Sequence, residues 1–348
     1  MYFGSDNTGP VHPQIMQALT EANTGYTGSY GADPLMDEVR ARIREIFEAP
    51  EAAVYLVATG TAANCLALSC YCPPTHTVFC SPVAHIYEDE CNGPEFYTGG
   101  AKLTLVGDAD KMTPDALRAA IEAEEVRGVH GPQRGPVSIT QATEKGQTFT
   151  VAELTALTSV ARDYGLPVHM DGARFANALV ATNCTPSEMT WRAGVDVLSF
   201  GGTKNGCMGV EAVVMFDPDK AWEFELRRKR GAHLFSKHRY LSAQMAAYLR
   251  DDLWLSTARA ANANMAKLAD GLRALPEADF LYEPAVNMAF LTLPRRRLKA
   301  LKDAGAVFNV WAGSLDDGDA DEPLTTRLVT DWALPEAEID RFLDLARA

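Results

Sequence analysis

Two apolar periods alternate along the chain. In PLMDEVRARIREIFEA (34–49) the apolar positions Leu35, Val39, Ile43, Ile46 and Phe47 fall on one helical face, whereas AAVYLVA (52–58) is a short apolar run that reads as a strand. The same alternation continues: a helix in TAANCLALSCY (61–71), strands in THTVFCSP (75–82) and KLTLVG (102–107), and a Thr-capped helix in TPDALRAAIEAEEV (113–126). GPVSITQAT (135–143) predicts a strand and TVAELTALTSVARDYG (150–165) a helix that stops at Gly165. LPVHMD (166–171) and VDVLSF (195–200) are strands flanking a helical stretch, and VEAVVMF (210–216) closes the series.

Strands alternating with helices predict an α/β fold with a mostly parallel sheet covered on both faces. The adjacent strands VDVLSF and VEAVVMF add an antiparallel or tightly connected pair. A strand-free helical region fills about 218–274. Beyond it, ADFLYEP, MAFLTLP, RRLKALKDAG, FNVWAG, TTRLVTDW and PEAEIDRFLDLARA predict strand–strand–helix–strand–strand–helix, a smaller α+β module. The boundary falls near 230–250. A large domain over 1–240 and a small one over 241–348 are expected, with the N-terminal segment free to pack on the small one.

Length agrees with that division, because single cores stop growing near roughly 250–300 residues and this chain has 348. Thirty-two Lys and Arg against 46 Asp and Glu leave a net charge of −14, which argues against a nucleic-acid or anionic-membrane partner. No apolar run reaches the ~20 residues of a membrane helix, and MYFGSDNTGP has no leader pattern, so a cytoplasmic location is expected. The seven cysteines lack paired CxxC or HxxxH spacing, so reduced thiols and no metal site are expected.

In a parallel α/β sheet, ligands bind beyond the carboxyl ends of the strands. Three such ends carry chemistry. TGTAAN (59–64) starts a helix after a strand, aiming the N–H groups of Gly60, Thr61 and Ala62 at one spot as a phosphate cradle. DGAR places Asp171 and Arg174 after the next-but-three strand. SFGGTKNG places Thr203 and Lys204 after VDVLSF, among glycines that would let a flat ligand approach the backbone. A surface turn for Lys204 and a helix cap for Asp171 are the plain alternatives. A phosphate cradle, a carboxylate and an amine together are what pyridoxal 5′-phosphate needs.

The motif order SDNTGPVHP, YGADP, TGTAAN, AHIYEDE, ITQATEKGQTF, VHMDGARFANA, SFGGTKNG, SKHRYLSAQ and RLVTDW resembles the low-specificity L-threonine and phenylserine aldolases. These are fold-type I pyridoxal phosphate enzymes of the beta-eliminating lyase superfamily. The resemblance implies a seven-stranded sheet in the large domain. It makes Lys204 the Schiff-base lysine, Asp171 the partner of the pyridine nitrogen, and Gly60, Thr61, Ala62, Arg174 and Thr203 further cofactor contacts. Lys229 or Arg230 would reach a neighbouring subunit's phosphate. His85 would lie on the cofactor ring, and Arg174 and Arg327, with Ser5, would bind the substrate carboxylate. Tyr30 would come from an adjacent subunit of a homotetramer built as a dimer of dimers. Gln141 and Thr143 would touch the pocket, and His130 would stand near the substrate hydroxyl.

The activity so implied is reversible cleavage of L-threonine, L-allo-threonine or a related β-hydroxy-α-amino acid to glycine and an aldehyde, with His85 or His130 as the base. Another β-eliminating lyase or an aminotransferase on a small amino acid is the alternative, since a scaffold does not fix its reaction. A cofactor-free binding protein is a third, opposed by the presence of Lys204, Asp171 and Arg327.

Overall fold

Local chemistry starts the helices where the apolar periods predict them. Asp33 caps the helix Pro34–Ile46 by accepting from Met36 N, with Pro34 supplying a preset φ at its first position. Thr150 and Glu153 form a reciprocal capping box on Val151–Asp163. The structure, a computed structural model, describes residues 1–348 apart from the side chain of Glu125.

The larger sheet has seven strands: β1 (Ala53–Val57), β2 (His76–Cys80), β3 (Lys102–Leu105), β4 (Gln133–Thr140), β5 (Val168–Gly172), β6 (Val197–Gly201) and β7 (Glu211–Met215). Their order is β1-β7-β6-β5-β4-β2-β3. The pairs β6–β5, β5–β4, β4–β2 and β2–β3 are parallel, while β7 runs antiparallel to both β6 and β1. A second, wholly antiparallel sheet orders β10 (Asn309–Ala312), β11 (Pro323–Val329), β9 (Met288–Pro294) and β8 (Asp279–Phe280). The helical region between the sheets divides into Ala221–Arg230, Arg239–Leu249 and Leu253–Arg273.

The helix Gly60–Tyr71 packs across β1, β7, β6, β5 and β4. It is apolar all round and rich in Ala and Cys, and residues 62–70 are all buried. Small side chains let its axis lie close to the strands. On the other side, Phe47 packs against Phe175, Phe200 and Phe216 with ring centroids 5.6–5.9 Å apart, and Phe200 meets Trp254 edge-on at 5.5 Å. Truncating a ring such as Phe200, which is fully buried, costs about 3–5 kcal/mol.

The N-terminal segment belongs to the second core. Phe3 packs with Met265, Leu291, Leu328 and Phe342, and its backbone bonds to Val307 and Val329. From there residues 4–12 run back to the first sheet, where His12 N donates to Gly206 O.

Candidate active site

A cavity of about 260 Å³ opens where β1, β5 and β6 end and where β7 begins. Its walls include Thr59, Gly60 and Thr61 after β1, His85 after β2, Glu144 after β4, Asp171 and Ala173 on and after β5, and Thr203 and Lys204 after β6. Asn7, Asn64 and Glu211 complete them. Lys204 sits in a single turn, Thr203–Asn205, half-buried, and makes no hydrogen bond or ion pair among the described residues.

Asp171 is buried and fixed on both oxygens: Oδ1 accepts from Ala173 N at 3.0 Å and Oδ2 from Asn64 Nδ2 at 2.8 Å. The same Asn64 amide donates to Glu90 Oε1 at 2.9 Å, and Glu90 in turn holds His85 Nδ1 at 2.8 Å. The bond to Glu90 raises the His85 pKa against the opposing effect of burial, with the Asp171 charge adding to the rise. Beneath them His169 bridges Ser138 and Ser199 at 2.9 and 3.1 Å across three neighbouring strands. Burial pushes its pKa down to about 4.

Gly60 and Thr61 head the helix Gly60–Tyr71, with backbone N–H groups that have no partner inside the helix. Ala62 departs from the expectation: its N–H is taken by the capping Thr59 Oγ1 at 3.1 Å and its side chain is buried. Thr59, Gly60 and Thr61 are the residues of this turn that line the cavity.

Arg174 is also bound differently from the expectation. It is buried, and its Nε and Nη2 donate to Asp6 Oδ2 and Oδ1 at 2.7 and 2.9 Å, so one edge of the guanidinium is already occupied. Burial alone would raise the Asp6 carboxyl, but Arg174 and Lys204 outweigh it and its pKa is lowered. Arg327 Nη2 donates to Gly4 O at 3.1 Å, while its Nε is buried without a partner. The ring of Trp311 lies 5.0 Å from its guanidinium carbon. Burial, then the charge of Arg174, lowers the Arg327 pKa, as expected of a cation short of an anion.

Other expected residues lie elsewhere. His130 ends a turn, Gly128–His130, that precedes β4; it is exposed at the end of the strand opposite the cavity. Gln141 is buried and bonded to the backbone of Phe149 at both amide atoms, and Thr143 donates to Asp110, so neither faces the cavity. Ser5 Oγ turns back to accept from Asn7 N, and it is Asn7 that reaches the cavity wall. Tyr30, Lys229 and Arg230 are exposed and outside the wall; Lys229 Nζ stands 4.9 Å from the centre of the Tyr30 ring. The glycines beside Lys204 serve the backbone itself. A Cβ at Gly201 would lie 2.4 Å from Ala173 O and one at Gly202 2.7 Å from Val210 O, and only Gly206, at φ +109°, needs the left-handed region.

Besides Asn7, four carboxylate- or amide-bearing residues at the site escaped the sequence reading. Asn64, Glu90 and Glu144 stand inside the quoted motifs TGTAAN, AHIYEDE and ITQATEKGQTF, where position alone gave no role. Glu211 looked like part of a strand. In the fold it is buried, accepts from Gly202 N at 2.7 Å, and is pushed up to about 7 by burial, partly offset by Thr203, Gly202 and Lys204.

Residues 3–294 match the beta-eliminating lyase family. A low specificity L-threonine aldolase of Pseudomonas aeruginosa is 38% identical over 99% of this chain and 96% of its own length. One from a Pseudomonas sp. is 39% identical over 97% and 94%. The solved threonine aldolase of Leishmania major superposes with a TM-score of 0.90 at 25% identity, covering 99% of this chain and 98% of that one.

Proposed function

The chain belongs to the beta-eliminating lyase family, among the low-specificity L-threonine aldolases, and on that premise we propose that it cleaves β-hydroxy-α-amino acids such as L-threonine, L-allo-threonine or phenylserine to glycine and an aldehyde. Its cofactor is pyridoxal 5′-phosphate. The residues present fit that group: the Lys204 amine has no partner, the Asp171 carboxylate is locked in place, and the N–H groups of Gly60 and Thr61 are free at a helix start. The observation that carries the reading is the convergence of these three on one cavity.

Lys204 would hold the cofactor aldehyde, Asp171 its ring nitrogen, and Thr59, Gly60 and Thr61 its phosphate, with His85 and Thr203 against the ring. When bound, the cofactor supplies an electron sink for the pair released at the substrate Cα. Arg327, and the free edge of Arg174, would grip the substrate carboxylate through charge-assisted bonds. That grip orients the Cα substituents before any bond breaks, which is where much of the acceleration from positioning arises. The Glu90 bond at Nδ1 would hold the His85 imidazole in place and leave Nε2 for the cofactor or substrate. Lys204 is free to carry a proton to or from Cα.

Assembly and location belong to the same reading. Tyr30 and Lys229, stacked on an exposed surface, would complete the site of a second copy in a dimer or a dimer of dimers acting in the cytoplasm. No helix among the described residues is long and apolar enough to cross a membrane.

The test is product analysis of the purified holoenzyme. Glycine with acetaldehyde from threonine, or with benzaldehyde from phenylserine, is the expected result. Pyruvate and ammonia from serine, with no aldehyde from either substrate, would replace this reading with elimination.

A further inference from the structure

Cleavage between Cα and Cβ requires a group that takes the proton of the β-hydroxyl. His130 lies at the wrong end of β4, and His85, held at Nδ1 by Glu90, keeps only Nε2, on the side expected to cover the cofactor ring. The one acidic group of the cavity wall that no part of the fold engages is Glu144. Its carboxylate has no hydrogen bond or ion pair among the described residues, whereas Asp171 and Glu211 are both held by backbone N–H groups.

The loop that carries it is tied down by hydrogen bonds on both sides. Gln141 clasps the backbone of Phe149 from both amide atoms at 2.8 and 2.9 Å. Thr143 is bonded to Asp110 and, through its backbone, to Gln147 and Gly146, while Gly146 O accepts from Ala285 N near the second sheet. A loop fastened on both sides of residue 144 whose own carboxylate is left free presents that carboxylate to a ligand.

We propose that Glu144 is the general base for the β-hydroxyl, an inference that rests on the aldolase reading above. The hydroxyl O–H bond breaks and its proton passes to the Glu144 carboxylate. The oxygen's electron pair forms the aldehyde C=O, and the Cα–Cβ pair stays with Cα, which a proton then converts to glycine. The reverse direction returns the same proton from Glu144 to the new hydroxyl.

The surroundings suit a base. Burial raises the Glu144 pKa; Asp171 adds to the rise, and Lys204, Arg174 and His85 partly offset it. The groups facing it are thus Lys204 after β6, Asp171 and Arg174 after β5, His85 after β2, and Arg327 on β11. A carboxylate with raised proton affinity is a stronger base at neutral pH than an ordinary one.

Glu144→Gln keeps the shape and removes the proton acceptor. Its holoenzyme is expected to cleave threonine and phenylserine about 10²–10⁴-fold more slowly than the unaltered protein. Two readouts that need no β-hydroxyl should survive: the visible absorbance of the bound cofactor, and exchange of the glycine α-proton with heavy water followed by NMR. Glu144→Asp, with a carboxyl on a shorter stem, is expected to recover about tenfold of the lost cleavage rate. Undiminished cleavage in Glu144→Gln, parallel loss of cleavage and exchange, or equal rates for Gln and Asp would each overturn the assignment. If the unaltered holoenzyme exchanged glycine but cleaved no β-hydroxy amino acid, the aldolase reading itself would fall, a distinct outcome.

Discussion

Arg174 and Asp6 meet edge to edge, two parallel N–H···O bonds at 2.7 and 2.9 Å joining residues 168 apart in sequence. The pair is buried on both sides, so neither charge has water to fall back on. Removing one partner strands the other. Asp6→Asn is expected to destabilise the protein by about 3–5 kcal/mol near neutral pH. The sign of the pH dependence follows from the lowered Asp6 pKa: the stabilisation is complete above the ordinary 3.8 and is lost as pH falls through the lower folded value. Thermal melts of both proteins should therefore differ most near neutrality and converge in strong acid.

Arg327 differs from Arg174 in having, among the described residues, no carboxylate partner and a buried Nε with nothing to bond. Arg327→Met is expected to raise KM for amino-acid substrates by about 10–100-fold, the worth of a charge-assisted bond. Cofactor binding, followed by visible absorbance, should be unchanged. A variant with normal KM would remove Arg327 from the carboxylate grip.

Among the described residues, Asn64 is the single hydrogen-bonded link between Asp171 and the Glu90–His85 pair. Asn64→Ala leaves two buried carboxylates each short of a donor, at a cost of about 1–3 kcal/mol apiece. Weaker retention of pyridoxal phosphate is the expected consequence, measured by titrating the apoprotein. A tight complex with an unaltered pH dependence of its absorbance would show that Asp171 does not need this link.

His169 stays neutral because burial depresses its pKa from 6.5 to about 4. A histidine shifted downward stabilises the fold fully above 6.5, and that stability is lost as pH falls from 6.5 toward 4, at about 1.4 kcal/mol per pH unit. His169→Gln should flatten the fall of melting temperature across that window. His238, also pushed down to about 4 chiefly by burial, keeps its own share of the slope.

The α/β class, the strand order of events along the chain and the positions of Lys204, Asp171, Gly60 and Thr61 were legible because each depends on a local signal: an apolar period followed by a turn with chemistry. What the sequence hid depends on pairings between distant segments. Arg174 reads as a free cation until Asp6 is folded against it, and Ala62 N–H reads as open until Thr59 turns its hydroxyl inward. His130 and Glu144 are the sharpest contrast. They bracket one strand, and only knowing which end of β4 faces the cavity separates them.

The polarity of β7 has a consequence of its own. Where every strand runs the same way, a pocket at one rim draws on residues that terminate strands, as Asp171 does on β5, and on the loops that follow them. Reversing β7 puts its opening residue, Glu211, level with Val57 and Gly201 at that rim. A side chain anchored inside the sheet, with no loop of its own to flex, thereby becomes part of the floor beneath Lys204. One inverted strand gives the pocket a fixed foundation that substitutions in the surrounding loops leave in place.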